Sequence, residues 1–334
     1  MNLIIDTDQF SDRARGCVVT IGKFDGVHLG HQQIVEQLRA KSAQLSVPSV
    51  VIVIEPHPEE FFAANPRACP PRLSEAPEKV ALLTAMGVDY VYLLTFDAQL
   101  SQQSPQDYIE QRLIAGLNIK CLIVGNDFRF GHKRAGDFAL LEQYGRQTGF
   151  EVVQTDSCFY QGVRVSSTYV RDCLSRADFE QVAGLLGREY SIAGKVVKGR
   201  QLGRTLGFPT CNLALNRQNI PLHGVYACRA DIVTAQGEHL IAHGAANIGY
   251  RPSVGATGTG AVEEAWLEVH LLDFDKDIYD AQMRVVFCHR IRAERKFESL
   301  QALTQQIAGD VQQVRAFFES GLAATPITDL THRS

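Results

Sequence analysis

Hydrophobic periodicity changes a little past the middle of this 334-residue chain, and the change separates two kinds of structure. In the first part, short apolar runs at Cys17–Gly22, Ser49–Glu55, Asp89–Thr95, Ile119–Gly125 and Phe150–Thr155 alternate with helical stretches near Gly30–Gln44, Pro77–Met86, Pro105–Ala115 and Asp137–Thr148. The runs are rich in Val, Ile and Leu with no polar face, as strands buried on both sides of a parallel sheet must be. Strand–helix–strand alternation predicts right-handed crossovers and a doubly wound, Rossmann-like α/β domain, closed by a helix over Thr168–Leu186. From Tyr190 the helical period disappears. Glycine-punctuated β segments follow at Tyr190–Val197, Val225–Val233, Leu240–Ile248, Trp266–Phe274 and Met283–Ile291. They predict a small antiparallel barrel or sandwich, followed by a helix at about Ser299–Ser320. The expected domains are 1–186 and 187–322, with a boundary near Gly187 and a loose polar tail over 323–334.

Composition narrows the function. Hydrophobic residues make up 45% of the chain and charged ones 21%, enough for two cores. A net charge of −4 without a basic run argues against a general nucleic-acid binder, whose affinity rests on clustered Lys and Arg. No apolar run reaches the roughly 18–20 residues of a membrane span, and the acidic start around Asp6 and Asp8 is unlike a secretory signal. The eight cysteines are widely spaced and form no CxxC pair. They read as reduced thiols, and a cytoplasmic enzyme with neither nucleic acid nor membrane as partner is expected.

The string from Thr20 to His31, TIGKFDGVHLGH, leaves the first predicted strand and opens the first helix. Unpaired backbone N–H groups at such a helix start face an anion. Gly22 and Gly30 allow close approach of phosphate, Phe24 and Asp25 belong to the same turn, and His28 and His31 are candidate donors to charge developing on phosphate oxygens. Two histidines three residues apart are often only surface or cap residues. What favours function is the position of the whole string. Asn126-Asp127-Phe128, inside GNDFRFG, leaves the fourth strand at the same sheet edge, where open α/β sheets bind ligands. It also reads as a polar turn. Ser166, Ser167, Thr168 and Arg171 open a further helix, with Ser167 either an N-cap or one of several groups around a triphosphate. GKFDGVHLGH together with SSTYVR resembles the HxGH-type nucleotidyltransferases. Glu55-Pro56-His57-Pro58 and GNDFRFG are similar to the adenylyltransferase half of bifunctional riboflavin kinase/FAD synthetases. That resemblance implies ATP contacts from Gly22, Phe24, Asp25, Gly30, Asp127, Ser166, Ser167, Thr168 and Arg171. It implies flavin contacts from Glu55, Pro56, His57, Pro58, Asn126 and Phe128. Ile54 stands where Phe is common, which implies a flavin pocket of altered shape.

The string from Lys198 to Asn212, KGRQLGRTLGFPTCN, spaces Gly199, Gly203 and Gly207 by four and adds Arg200 and Arg204. It makes a phosphate-sized concavity but is no Walker loop; a turn with surface arginines is the plainer reading. Thr210 and Asn212 offer neutral oxygens on one face of an extended segment, suited to Mg²⁺. In Trp266–Phe274, Leu267, Val269 and Leu271 share one face and Glu268 the other. A strand Glu of this kind is usually solvated, but beside an aromatic surface it is a candidate general base. The order GRQLGRTLGFPTCN, GVY, ANIGYRP and LEVHLLDF resembles riboflavin kinases from Tyr190 to His289. The resemblance implies a six-stranded barrel, Mg²⁺ at Thr210 and Asn212, Glu268 as base and Arg251 near flavin. The glycine-rich loop Gly255–Ala265 is longer than usual. The two resemblances together imply that riboflavin, FMN and ATP are the ligands: riboflavin is phosphorylated to FMN, then FMN is adenylylated to FAD. A single adenylyltransferase with a flavin-holding barrel, and a non-catalytic flavin sensor, remain as alternatives.

Overall fold

The structure is a computed structural model that describes residues 2–5, 7–198, 203, 206–215, 217, 219–254 and 261–321. Two compact units are present. The first runs to Cys69 and over Ser74–Ser167; the second holds Pro70–Leu73 and the described chain from Thr168 on.

The first unit contains β1 (Asn2–Ile4), β2 (Cys17–Gly22), α1 (Leu29–Leu45), β3 (Ser49–Glu55), α2 (Pro58–Phe62), α3 (Ala76–Ala85) and β4 (Tyr90–Thr95). It continues with α4 (Ala98–Gln102), α5 (Pro105–Asp107), β5 (Ile119–Gly125), α6 (Phe138–Thr148), β6 (Glu151–Thr155) and a small hairpin, β7 (Phe159–Tyr160) and β8 (Val163–Arg164). The six-stranded sheet has the order β1-β4-β3-β2-β5-β6 and is parallel throughout. The five apolar runs form β2 to β6 within a residue of the expected bounds; the central strands β2, β3, β4 and β5 are apolar because both their faces are covered, while β6 forms the edge beyond β5. Val18, Val51, Val53 and Val91 pack with Val35 and Leu38 of α1 on one side, while Val50, Ile52 and Tyr92 pack with Ile109, Leu113 and Leu141 on the other. β1 is an addition at the edge; its three residues carry no periodic signal. The expected helix over Pro105–Ala115 is a single α turn that continues as a π-helix, Tyr108–Gly116. Tyr108, Ile109, Leu113 and Gly116 are its buried residues.

The second unit holds α7 (Ser167–Ser175, from its second residue), α8 (Phe179–Leu186), β9 (Ser191–Val197), β10 (Cys211–Leu213), β11 (Gly224–Val233), β12 (His239–Val254), β13 (Ala261–Leu271), β14 (Gln282–Arg292) and α9 (Leu300–Glu319). The single helix expected over Thr168–Leu186 is two. Ala177 takes φ 57°, and Asp178 accepts from Gln181 N–H to cap α8. A local side-chain cap thus competes with continued helix.

Between barrel and sandwich, the strands choose a closed barrel of order β10-β13-β12-β11-β14-β9, with β9 rejoining β10. β10 was expected only as an extended segment, yet its three residues complete the ring. Leu267, Val269, Ala246, Ile248, Val285 and Met283 fill the core. Ala261–Ala265, expected in a loop, are strand; positions 255–260 lie outside the described residues. Ser299 caps α9, and Arg292 grips Asp310 of that helix through both carboxylate oxygens at 2.8–3.0 Å. Among the described residues no helix is long and apolar enough to cross a membrane.

Candidate active sites

In the first unit, chain order reverses between the neighbouring strands β2 and β5. Such a switch point leaves a crevice beyond the strands' C-terminal ends. The loops after both strands open there. After β2 the backbone takes left-handed angles at Phe24 (φ 50°), Gly26 (φ 82°) and Val27 (φ 41°). Non-glycine residues hold such angles only when their surroundings enforce them, and the enforcing contacts are present. Gly26 N–H donates to Ser74 Oγ (2.8 Å), Ser74 N–H to Asp25 Oδ1 (3.0 Å), and Ser167 Oγ–H to Asp25 O (2.9 Å). Asp25 is buried and serves as this bracket. The loop delivers His28 to the N-cap of α1, where its Nδ1 accepts from His31 N–H at 3.3 Å. With Nδ1 accepting, the ring proton sits on Nε2. The two imidazoles stack at 3.7 Å and 12°. A Cβ at Gly30 would lie 3.2 Å from the His28 ring and 3.6 Å from Cys158 Cβ, and one at Gly22 would lie 3.2 Å from the Phe24 ring. Both glycines therefore set the rings in place.

Beside this loop lies a cavity of about 640 Å³, walled by Ile21, Ile54 and Leu94 from strand ends, the aromatic rings of Phe62, Phe96, Tyr108 and Phe128, and Arg129, Lys133 and Arg134. Phe61, Phe62 and Phe96 meet edge to face at 5.1–5.8 Å, and Phe128 stacks on Phe130 at 5.5 Å. Of the expected flavin contacts, Pro58 and Phe128 line the cavity, as does Ile54. Asn126 and Asp127 are exposed on the turn after β5, with Asp127 3.6 Å from Arg164. Glu55 and His57 meet a fully buried Lys79, whose ammonium donates to Glu55 Oε1 at 2.6 Å and His57 Nε2 at 2.9 Å. Lys79, Phe96 and Tyr108 escaped sequence reasoning. Phe62 had a signal: two adjacent phenylalanines, Phe61 and Phe62, follow Pro58-Glu59-Glu60, and the structure leaves the second ring 65% exposed. Ser166 is half-buried in the first unit. Thr168, exposed, and Arg171, whose Nε–H donates to Pro71 O at 2.6 Å, belong to the second.

In the barrel, antiparallel register aligns one row across five strands. Asn212 of β10 pairs with Glu268 of β13, Glu268 with Asn247 of β12, Asn247 with Val225 of β11, and Val225 with Arg292 of β14. Directly opposed residues project on the same face. Leu267, Val269 and Leu271 point into the core, so this row lies on the outer face, with Asp310 of α9 bound to its last member. A cavity of about 260 Å³ opens onto the row, lined by Glu268, Asn247, His270, Thr210, Gly203 and residues of α9. A second cavity of about 420 Å³ shares Thr210 and is lined by Phe274, Asp275, Lys276, Ile278 and Tyr279. Thr210 therefore stands on the partition between two compartments.

The Oδ1 atoms of Asn212 and Asn247 are buried and have no hydrogen-bond partner. A Cβ at Gly203 would strike Phe208 O at 2.3 Å and approach Thr210 Oγ1 to 3.2 Å. Gly207 takes φ +85°, which an L side chain resists. His270 Nδ1 bonds Pro209 O at 2.8 Å, tying this segment to β13. Burial pushes the Cys211 thiol up to about 12, so it is not a nucleophile here. Gly199, Arg200 and Arg204 lie outside the described residues, as does the side chain of Arg251. Among the described residues no three His, Cys, Asp or Glu side chains cluster as a metal site.

These two sites coincide with two family models: FAD synthetase over residues 10–169 and riboflavin kinase over 186–318. The chain is 44% identical to the bifunctional riboflavin kinase/FMN adenylyltransferase of Pseudomonas fluorescens, covering 95% of this chain and 97% of that protein. Proteins of the same name from Haemophilus influenzae and Escherichia coli are 41% and 43% identical, over 92% and 91% of this chain and 96% and 93% of theirs. A crystal structure titled as a macrolide-efflux protein from Streptococcus pneumoniae superposes with a TM-score of 0.75 at 27% identity, over 94% of this chain and 98% of that one. With relatives this similar along nearly its whole length, the chain belongs to the bifunctional riboflavin kinase/FMN adenylyltransferase family.

Proposed function

We infer that the row Asn212–Glu268–Asn247 is the centre of the kinase reaction and that the His28–His31 pair is the centre of adenylyl transfer. The chain carries both activities: ATP phosphorylates riboflavin to FMN, and a second ATP adenylylates FMN to FAD with release of pyrophosphate. A barrel that merely stores flavin is not favoured.

In the kinase step Glu268 takes the proton of the terminal ribityl hydroxyl as its oxygen bonds to the γ-phosphorus of ATP and ADP leaves. Such a base contributes roughly 10²–10⁴-fold. The observation that carries this reading is the cross-strand register that sets Glu268 between two buried amides, at a cavity that meets a second one at Thr210. Flavin fits the Glu268 side and nucleotide the side of Tyr279, with Gly203 against Thr210 where phosphates pass. Mg²⁺ fits Thr210 and Asn212: Asn212 Oδ1 is a buried, unpartnered neutral oxygen, and this cation is held by few protein oxygens plus substrate phosphates. When bound it neutralises phosphate charge.

In the transferase step an FMN phosphate oxygen bonds to the α-phosphorus of ATP and pyrophosphate leaves. His28, with its proton on Nε2, and His31 donate toward that charge, while the aromatic cavity holds the flavin ring. We assign the kinase module to 187–322 and the protein to the cytoplasm, in keeping with eight cysteines that form no disulfide. Glu268→Gln tests the kinase assignment. Riboflavin turnover is expected to fall by at least about a hundredfold while FAD formation from supplied FMN persists. Parent-like phosphorylation by this variant removes Glu268 as the base.

A further inference from the structure

Asn212 Oδ1 and Asn247 Oδ1 stand on the two sides of Glu268, one strand away in each direction, and neither has a partner. A buried carbonyl left unpaired costs about 1–3 kcal/mol. Two of them beside one carboxylate mark a place where a ligand brings the missing donors. The cation assigned above accounts for Asn212 and leaves Asn247 unexplained. Adjacent strands are about 4.8 Å apart, so the two amides are separated by roughly two such spacings. Mg²⁺–oxygen bonds of about 2.1 Å do not let one ion take both side chains directly. A chain of hydroxyl groups does span that distance.

β12 lines the cavity with Ala245 and Asn247, and Gly249 follows them on the same face of the strand. Ala245 is small, and a Cβ at Gly249 would lie 2.6 Å from Glu294 Oε2. Asn247 is thus the one long polar side chain among these three, with the small Ala245 on one side and the Glu294 carboxylate over Gly249 on the other. One strand spacing from Glu268, about 4.8 Å, is within reach of a secondary hydroxyl a few carbons along the same extended sugar alcohol, once the hydrogen bond to Asn247 is counted.

We propose that Asn247 is a specificity-determining residue of the kinase reaction: its amide oxygen accepts a hydrogen bond from a secondary hydroxyl of the ribityl chain while the terminal hydroxyl lies against Glu268. This rests on the reading of Glu268 as base. It makes the enzyme a reader of the polyol as well as of the ring, because a flavin lacking that hydroxyl leaves a buried acceptor unpaired.

The test is a cycle between protein and substrate. Kinase kcat and KM are measured for the parent and Asn247→Ala with riboflavin and with analogues that each lack one secondary ribityl hydroxyl. In the parent, one analogue is expected to lose at least about tenfold in kcat/KM. Asn247→Ala is expected to lose a similar factor on riboflavin, chiefly in KM, and nothing further on that analogue. Losses that multiply for every analogue overturn the proposal. So does a variant whose Mg²⁺ requirement rises while its riboflavin KM stays at the parent value. Trp266 fluorescence reports whether Asn247→Ala folds; if it does not, Asn247→Ser carries the same cycle. Glu268→Gln in the same assay decides the base separately: a parent-like rate there removes that assignment, while coupling or additivity at Asn247 still decides this one.

Discussion

Replacing Lys79 with Met removes the ammonium that Glu55 and His57 share and keeps the side chain's apolar length. Lys79 is fully buried, and Glu55 is only 15% exposed in its side chain. The substitution therefore takes the Lys79 counter-charge from a carboxylate in a poorly solvated place. Breaking a buried pair from one side costs about 3–5 kcal/mol. With a urea m-value of about 2 kcal/mol/M, the unfolding midpoint of the first unit should drop by roughly 2 M. The chain's only tryptophan, Trp266, lies on β13 in the second unit. Its fluorescence transition should stay in place while the helical circular dichroism signal splits and its early part moves to lower urea. Adding Glu55→Gln removes that charge and should recover at least half of the loss. His57 and Pro58 begin α2, which carries Phe62 at the cavity, so KM for FMN should also rise in Lys79→Met, with riboflavin phosphorylation unchanged. A parent-like midpoint would refute the reasoning, because it would mean that Glu55 needs no counter-charge.

Changing His28 and His31 together to Ala is expected to abolish FAD formation and leave FMN formation nearly intact. Loss of one oriented donor to a transferring phosphate is worth about 2.7–4 kcal/mol of barrier by analogy with oxyanion sites, and chromatography of products from riboflavin and MgATP reads both steps. A fragment starting at Thr168 should make FMN but no FAD. One starting at Gly187 should be less stable, because it lacks α8, which buries Val182, Leu185 and Leu186; thermal melts of the two compare them. Burial, followed by the Glu151 carboxylate, pushes the Cys121 thiol up to about 12 from an ordinary 9.0, with Lys41 opposing. The native thiol stays protonated where the unfolded one ionises, so its stability contribution is complete below pH 9.0 and declines as pH rises toward about 12. At one pH unit above the unfolded pKa the loss is about 1.4 kcal/mol, and Cys121→Ala should show a correspondingly flatter alkaline decline in urea titrations.

Much of this protein is legible one segment at a time. The central strands of the sheet, α1, α6 and α9 announce themselves because an element that buries one face or both must repeat its apolar residues at its own period. The glycine-rich string between β2 and α1 is legible too, since a loop between a strand and a helix start has a fixed electrostatic sense. The register of Leu267, Val269 and Leu271 already places Glu268 on the opposite face. What sequence does not carry is the company each residue keeps. β10 is three residues long, too short for any period, and only ring closure makes it a strand. Asp178 capping α8 and the π-helical Tyr108–Gly116 are decided by local competition and packing. That Asp25 brackets its loop through Ser74, and that Glu55 and His57 meet Lys79, which sits in an ordinary helical pattern, are contacts no string shows. Asn247 beside Glu268 depends on pairing between strands some twenty residues apart. Periodicity is a property of neighbours along the chain, so sequence alone determined the elements and the two chemistries. Partners across strands and helices are chosen by register and burial, and those only the tertiary structure decided.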